Sequence, residues 1–223
     1  NTTASENTAV GMAALCVNTT GTRNTAVGSY ALALNSSGSC NTGMGGYSLR
    51  NNSTGNYNTG TGYLSLYTNT TGYCNTASGY GASRNNTDGF ENTAIGVMAL
   101  KENTTGDANV AIGLRAMASS ITISNTMAVG FKALYSNTTG YKNSATGYEA
   151  LYNNTTGICN CASGYQALYA NAVACCNSAT GYQALYNNTT GVCNCAVGDY
   201  ALYNNCTGCK NEAHGYKAMY ANN

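Results

Sequence analysis

The chain of 223 residues has no proline, no tryptophan, a single histidine and charged side chains at only 8% of its positions. Its nine Lys and Arg against eight Asp and Glu leave a net charge of +1. It therefore lacks the basic stripe of a nucleic-acid binder, and no apolar run approaches the length of a membrane helix. We expect no nucleic-acid partner and no membrane span. The lack of proline is typical of a chain in which nearly every backbone N–H is needed as a donor.

What the chain does have is a glycine at every seventeenth position. A fixed period of this length indicates a solenoid, in which each repeat is one coil stacked on the next. We number the repeat as places 1 to 17, with this glycine at place 5. The sequence predicts a single all-β domain over residues 1–223, a β-solenoid (β-roll or β-helix) of thirteen 17-residue coils. The glycines are Gly11, Gly28, Gly45, Gly62, Gly79, Gly96, Gly113, Gly130, Gly147, Gly164, Gly181, Gly198 and Gly215.

Other places in the repeat are nearly as constant. Place 1 is Asn in most coils, place 3 Ala or Gly, place 8 Ala or Ser, and place 12 Asn except at Ser120. Places 1–4 read as a short strand and Asn-Thr-Thr-Gly as a turn. Stacking would turn place 1 into an asparagine ladder and places 6 and 10 into tyrosine ladders. We expect one buried leucine column at place 9, which includes Leu134, Leu151, Leu168, Leu185 and Leu202.

Places 8 and 9 raise a question because both look like core positions although they are adjacent. Neighbouring residues in a strand point to opposite faces. Either a corner lies between them, or the segment Tyr-x-Ala-Leu-Tyr forms a short helical turn, which Ala and Leu favour. Both alternatives remain open at this point.

The repeat unit, Asn-Thr-Ala-Val-Gly-Tyr-Gln-Ala-Leu-Tyr, resembles the repeats of phage tail fibres and large bacterial surface proteins. The motifs Ala94-Ile95-Gly96 and Ala111-Ile112-Gly113 are also similar to the core motif of trimeric autotransporter adhesin heads. A weaker similarity to bacterial leucine-rich repeats favours the helical turn. The resemblance covers the whole chain and implies an extracellular or virion- or cell-surface fibre, with a trimer as one possible arrangement.

Eleven cysteines form the main chemical feature, and most lie late in the chain. Equivalent cysteines in neighbouring coils would have Cα atoms about 5 Å apart, within the range of a disulfide. Disulfides or buried thiols are our interpretation, with a zinc site as the alternative. The disulfide candidates are Cys159, Cys161, Cys175, Cys176, Cys193, Cys195, Cys206 and Cys209.

The place-12 asparagines form sequons that predict glycans along one edge, although Asn-Thr-Thr-Gly is also ordinary turn chemistry. No catalytic constellation, metal site or cofactor motif occurs, and we interpret His214 as incidental, so we expect no enzyme. The glycosylation candidates are Asn18, Asn35, Asn52, Asn69, Asn103, Asn137, Asn154, Asn188 and Asn205.

Two turns depart from the pattern and become more apolar, at residues 119–124 and 171–176. These departures are compatible with sequence drift in a repeat that tolerates substitution, and equally with a contact patch for a neighbouring subunit. The chain also begins and ends at the same phase of the repeat without a capping sequence. We therefore predict a structural subunit that assembles end to end into an extracellular filament. Ice binding or carbohydrate binding by a β-solenoid surface is the alternative.

Overall fold

The computed structural model describes residues 3–222. The predicted match in repeat phase between the two ends of the chain involves residues outside this range. The chain is all-β and groups into two compact units, Asn1–Asn109 and Val110–Asn223. Every strand has three residues and occupies places 2–4 of a coil. The strands of the first unit are β1 (Thr8–Val10), β2 (Thr25–Val27), β3 (Thr42–Met44), β4 (Thr59–Thr61), β5 (Thr76–Ser78) and β6 (Thr93–Ile95). The strands of the second unit are β7 (Val110–Ile112), β8 (Met127–Val129), β9 (Ser144–Thr146), β10 (Cys161–Ser163), β11 (Ser178–Thr180), β12 (Cys195–Val197) and β13 (Glu212–His214).

Within each unit, consecutive strands pair in parallel and in register. Thr8 pairs with Thr25 in the first unit, and Cys161 pairs with Ser178 in the second. Each pair is separated by one repeat of 17 residues, so the same place of every coil lies directly beside its counterpart. The prediction of a β-solenoid with 17-residue coils is confirmed.

The core is a thin layer of small and aliphatic side chains. Alanines at places 3 and 8, such as Ala26 and Ala31, are fully buried. The predicted leucine column at place 9 is confirmed, since each of its members has an exposure of 0%: Leu134, Leu151, Leu168, Leu185 and Leu202. Because alanine contributes little apolar area, polar contacts between coils must carry much of the cohesion.

The helical-turn alternative for places 6–10 is wrong. Residues at places 7 and 9 have positive φ, for example Tyr30 (57°) and Leu32 (49°), so the backbone reverses hand at every residue and no helix forms in this segment. The N–H of Leu32 donates to the carbonyl of Ser48 in the next coil at 3.0 Å. The corner between places 8 and 9 lets both side chains point inward. No helix among residues 3–222 is long and apolar enough to cross a membrane.

The place-5 glycine has a strict structural reason. Its φ lies near +130°, for example 133° at Gly28, a region that side chains rarely allow. A Cβ atom on Gly28 would lie 2.7 Å from the carbonyl carbon of Gly45 in the next coil. Both the conformation and the close stacking therefore require glycine at this place.

Candidate functional surface

The sequon asparagines at place 12 form a ladder inside the solenoid. Asn52, for example, is fully buried, and its Nδ2 donates to the Gly55 carbonyl at 2.9 Å and to Asn35 Oδ1 at 2.8 Å. All nine glycosylation candidates have an exposure of 1% or less: Asn18, Asn35, Asn52, Asn69, Asn103, Asn137, Asn154, Asn188 and Asn205. The acceptor nitrogen of a glycan is therefore occupied by the fold, and a glycan there would exclude this packing.

A second buried asparagine ladder runs at place 1, as the sequence predicts. Asn41 Oδ1 accepts a hydrogen bond from the backbone N–H of Asn58 at 2.9 Å. Asn41 Nδ2 donates to the Gly55 carbonyl at 2.8 Å. The Gly55 carbonyl thus accepts a hydrogen bond from each ladder, since Asn52 of the place-12 ladder also donates to it. The sequence showed a recurrent Asn at place 12 but indicated an exposed sequon or a turn there, because its three-residue spacing to place 15 is typical of turn chemistry.

Two aromatic ladders run along the second unit. At place 10, centroids of neighbouring tyrosine rings lie 5.0–5.2 Å apart and the ring planes agree within 10°. At place 6 the spacing is 4.9–5.0 Å. Because each ring stacks on the next, the ring faces are covered and the edges are presented to solvent. The place-10 ladder is Tyr135, Tyr152, Tyr169, Tyr186, Tyr203 and Tyr220, and the place-6 ladder is Phe131, Tyr148, Tyr165 and Tyr182.

A polar row at place 7 accompanies the aromatic ladders. Gln183 Nε2 donates to Gln166 Oε1 at 2.8 Å, and Gln166 Nε2 donates to Glu149 Oε2 at 2.9 Å. Burial, followed by the negative charge of Glu149, raises the pKa of Tyr148 and of Tyr169. This row could not be predicted from the sequence, since place 7 of the second unit varies among charged, amide and aromatic residues.

The outward face of the strands differs between the two units. In the first unit, place 2 is threonine in six successive coils: Thr8, Thr25, Thr42, Thr59, Thr76 and Thr93. These side chains are exposed or half-buried, whereas the alanine beside them in the same strand, such as Ala77, is buried. In the second unit the same place carries Val110, Met127 and Cys161 among others. A regular threonine array therefore belongs to the first unit alone.

All eleven cysteines are free thiols in the structure. Cys175 and Cys209 lie at place 16, where their Sγ atoms accept the N–H of Ile158 at 3.5 Å and of Val192 at 3.4 Å. Cys161 and Cys195 face outward at place 2 in coils two steps apart, and Cys206 stands alone at place 13. The remaining candidates come together at place 17.

Cys159, Cys176 and Cys193 occupy place 17 of three successive coils, and all three are exposed. Desolvation by neighbouring atoms, and then the thiols of Cys193, Cys159 and Cys175, raise the pKa of Cys176. We call these three residues the thiol ladder. Across residues 3–222, no group of three or more His, Cys, Asp and Glu side chains is arranged to hold a metal ion.

The single histidine and the two irregular turns stand apart from these ladders. His214 is exposed and its Nε2 lies 3.0 Å from Glu212 Oε1. In the irregular turns, Ile121 and Val173 expose 45% and 50% of their surface, whereas Ile123 is buried. Each turn thus points one apolar side chain outward.

Comparison with known proteins adds no assignment to this geometry. No protein family, no curated protein and no solved structure matches the chain.

Proposed function

We propose that the chain is a structural segment of an extracellular or virion- or cell-surface fibre, built from coils that stack lengthwise. One observation carries this proposal: in each unit neighbouring coils bind through in-register backbone bonds and through two buried asparagine ladders, which only Ser120 and Thr126 interrupt among the described residues. Stacked aromatic rings add to these contacts in the second unit from Phe131 onward. Such contacts add with the number of coils and need no ligand. That the chain is not an enzyme stays a prediction.

Self-assembly is supported by the open faces of the outermost coils. Among the described residues, the N–H of Glu212 has no backbone acceptor, whereas its counterpart Cys195 donates to the Asn211 carbonyl at 2.8 Å. Met219 exposes 43% of its surface at place 9, which is buried in inner coils, as at Leu185 and Leu202. A further coil, from another copy or from the same polypeptide, would use these groups. We therefore propose end-to-end association, with lateral trimerisation as the arrangement that the adhesin resemblance suggests.

Electron microscopy and light scattering of the purified chain test this association. We expect filaments that lengthen with concentration. Glu212→Pro removes the free N–H donor at the β13 edge, so this variant should remain as single chains instead of forming filaments. The matched control Glu212→Gln keeps the donor and should form filaments like the wild-type chain. A wild-type chain that stays monomeric at high concentration would contradict end-to-end association, and a uniform three-chain particle would support the trimer instead.

Ice binding remains a second candidate because of one observation, the threonine array of the first unit. Its hydroxyl and methyl groups repeat about every 4.8 Å on an outward strand face. Thr59→Lys should abolish inhibition of ice recrystallisation, and the control Thr54→Lys, at an exposed place outside the array, should not. Wild-type chain without such inhibition would exclude this candidate.

Carbohydrate binding has less support. The asparagine ladders lie inside the solenoid, and the stacked tyrosines cover one another's faces. A sugar would meet ring edges and phenol hydroxyls rather than open aromatic faces. An adhesive role of the fibre would then depend on other parts of the surface, such as the outward side chains Ile121 and Val173.

A further inference from the structure

We propose that the thiol ladder is a redox site that holds one disulfide, always including Cys176, and leaves one thiol free. This inference does not depend on the proposed fibre function. It rests on the position of Cys159, Cys176 and Cys193 at one place of three successive coils.

The backbone sets the spacing of these three residues. Cys161 pairs with Ser178 and Ser178 pairs with Cys195, so the coils that carry the ladder stack in register. Parallel strands lie about 4.8 Å apart, which falls inside the Cα separation of about 4.4–6.8 Å found in disulfides. Cys176 is one step from either neighbour. Cys159 and Cys193 are two steps apart, about 9.6 Å, which is beyond that range.

No other cysteines of residues 3–222 share a place in neighbouring coils. Cys40 and Cys74 lie at place 17 of the first unit, but Tyr57 separates them. Ser178 separates Cys161 from Cys195 in the same way, at place 2. These pairs share the chemistry of the ladder without its spacing, although Cys40 and Cys195 are half-buried. They therefore serve as internal controls.

The chemistry balances with a low-molecular-weight disulfide, such as oxidised glutathione, as the oxidant. The thiolate of Cys193 attacks one sulfur of glutathione disulfide, which forms a mixed disulfide and releases one glutathione as a thiolate. The thiolate of Cys176 then attacks the Cys193 sulfur and releases the second glutathione. Two protein thiols are oxidised, one glutathione disulfide is reduced to two thiols, and the two protein protons end on the released thiols.

The third thiol makes the site exchangeable. Once Cys176 and Cys193 are joined, the thiolate of Cys159 can attack the Cys176 sulfur and release Cys193 as a thiolate, with no net oxidation. Cys176 is the partner in both arrangements. The free thiol can then lie at either end of the ladder, where Lys142 and Lys210 occupy the same place in the flanking coils and attract an anionic disulfide reagent.

Disulfide mapping of the natively folded chain tests the proposal. The protein is incubated with excess oxidised glutathione, the remaining thiols are alkylated, and peptides are identified by mass spectrometry. We expect one disulfide within the ladder, found as Cys159–Cys176 in some chains and Cys176–Cys193 in others. Cys176→Ser should abolish both, whereas Cys159→Ser and Cys193→Ser should each leave one pair.

A variant of the first unit provides the matched control. Cys40 and Cys74 should stay unlinked in the wild-type chain, and Tyr57→Cys should create a site that forms one disulfide through position 57. Tyr57 is 65% exposed, so its replacement leaves the core intact, and circular dichroism checks the fold of each variant. The proposal fails if wild-type chain forms no ladder disulfide, if Cys40–Cys74 links as readily as the ladder, or if Cys176→Ser retains a Cys159–Cys193 bond.

Discussion

At the scale of single residues, the solenoid is unusual in the amount of left-handed backbone that it contains. Places 7, 9 and 17 of every described coil have φ between 46° and 61°, and all these residues except Gly81 have side chains. Each such residue costs about 1–2 kcal/mol relative to ordinary backbone. The alternation of hand directs N–H groups toward the neighbouring coil, as when Leu185 donates to the Ala201 carbonyl at 2.9 Å. Stacking therefore offsets a local conformational cost.

Two glycines of the first unit separate conformational strain from steric exclusion. Gly81 has φ +61°, and a Cβ there would meet nothing closer than Met98 Cγ at 3.9 Å. Gly81→Ala should therefore destabilise the chain by only about 1 kcal/mol. A Cβ on Gly62 would lie 2.7 Å from the Gly79 carbonyl oxygen, so Gly62→Ala should cost more than about 3 kcal/mol. Urea denaturation measures both, and equal losses would contradict this account of place 5.

The sequence allows the columns to be predicted at this scale but not the conformations. The invariant glycine and the alanine and leucine columns follow from periodicity, and the alanines and leucines are core positions in the structure. The positive φ of Leu32 or Gln166 could not be predicted, because neither residue type favours it. The cause lies in the neighbouring coil, and a local propensity carries no information about it.

At the scale of the turn, one irregular repeat is explained by a pair of coupled substitutions. Ser120 replaces Asn at place 12 and Ile123 replaces Gly at place 15, and both are buried. In an ordinary coil a side chain at place 15 would crowd the place-12 amide, since a Cβ on Gly140 would lie 2.6 Å from Asn137 Oδ1. The smaller serine thus makes space for the isoleucine. The cost is a buried Ser120 Oγ without a hydrogen-bond partner among the described residues.

A double-mutant cycle tests this coupling. Ser120→Asn alone should destabilise the chain by about 1–3 kcal/mol through overpacking against Ile123. Ile123→Gly alone should cost about 2–5 kcal/mol, because it leaves a cavity. The double variant restores the ordinary turn, so its free energy of unfolding should equal or exceed that of the wild-type chain. The coupling energy between positions 120 and 123 is then large and favourable. Additive effects in urea denaturation would show that the two places are independent.

At the scale of the ladders, the tyrosine columns place a pH limit on stability. Burial, followed by Glu149, raises the pKa of Tyr169 above its ordinary value near 10. For a group whose pKa is raised by folding, the stabilisation is fully present below the unfolded pKa and is lost as the pH rises through the folded pKa. We therefore expect stability to fall above about pH 10.

Glu149→Gln tests the electrostatic part of this effect. The amide keeps an oxygen that can accept from Gln166 but removes the charge, so the phenols of Tyr148 and Tyr169 should ionise at lower pH than in the wild-type chain. Ultraviolet absorbance of phenolate follows the titration. Glu91→Gln, in the first unit, is the matched control and should leave the curve unchanged. An unshifted curve in Glu149→Gln would mean that burial alone raises these pKa values.

The ladders also show what the sequence could indicate about the surface. Recurrence at places 6 and 10 was enough to predict stacked tyrosines, and the structure confirms them. Recurrence could not show that the place-12 asparagines lie inside. The segment Asn-Thr-Thr-Gly is typical of an exposed turn. Only the structure shows that the place-15 carbonyl accepts hydrogen bonds from both asparagine ladders, as the Gly55 carbonyl does. In the sequence of a single repeat, a polar side chain that bonds to the next coil cannot be distinguished from a polar side chain that is directed to solvent.

At the scale of the whole molecule, the 17-residue coil should be the unit of both stability and tolerance. Each coil contacts mainly its neighbours, so stability is approximately a sum of coil and interface contributions. Deletion of residues 144–160 removes one coil of the second unit and joins Asn143 to Cys161, so that every place meets its counterpart again. We expect this variant to fold. Its denaturant m value should fall with the surface removed, and the free energy of unfolding should decrease by about one coil's share.

Deletion of residues 144–151 is the matched control, because it removes fewer residues and breaks the phase. It would bring buried asparagine places against places that carry exposed side chains, and the amides would lose their acceptors at a cost of about 1–3 kcal/mol for each unsatisfied group. The shorter deletion should therefore be the more damaging one, with loss of the cooperative urea transition and of the circular dichroism of the intact chain. A chain that tolerated both deletions equally would not depend on register, and the ladders would then contribute little to its cohesion.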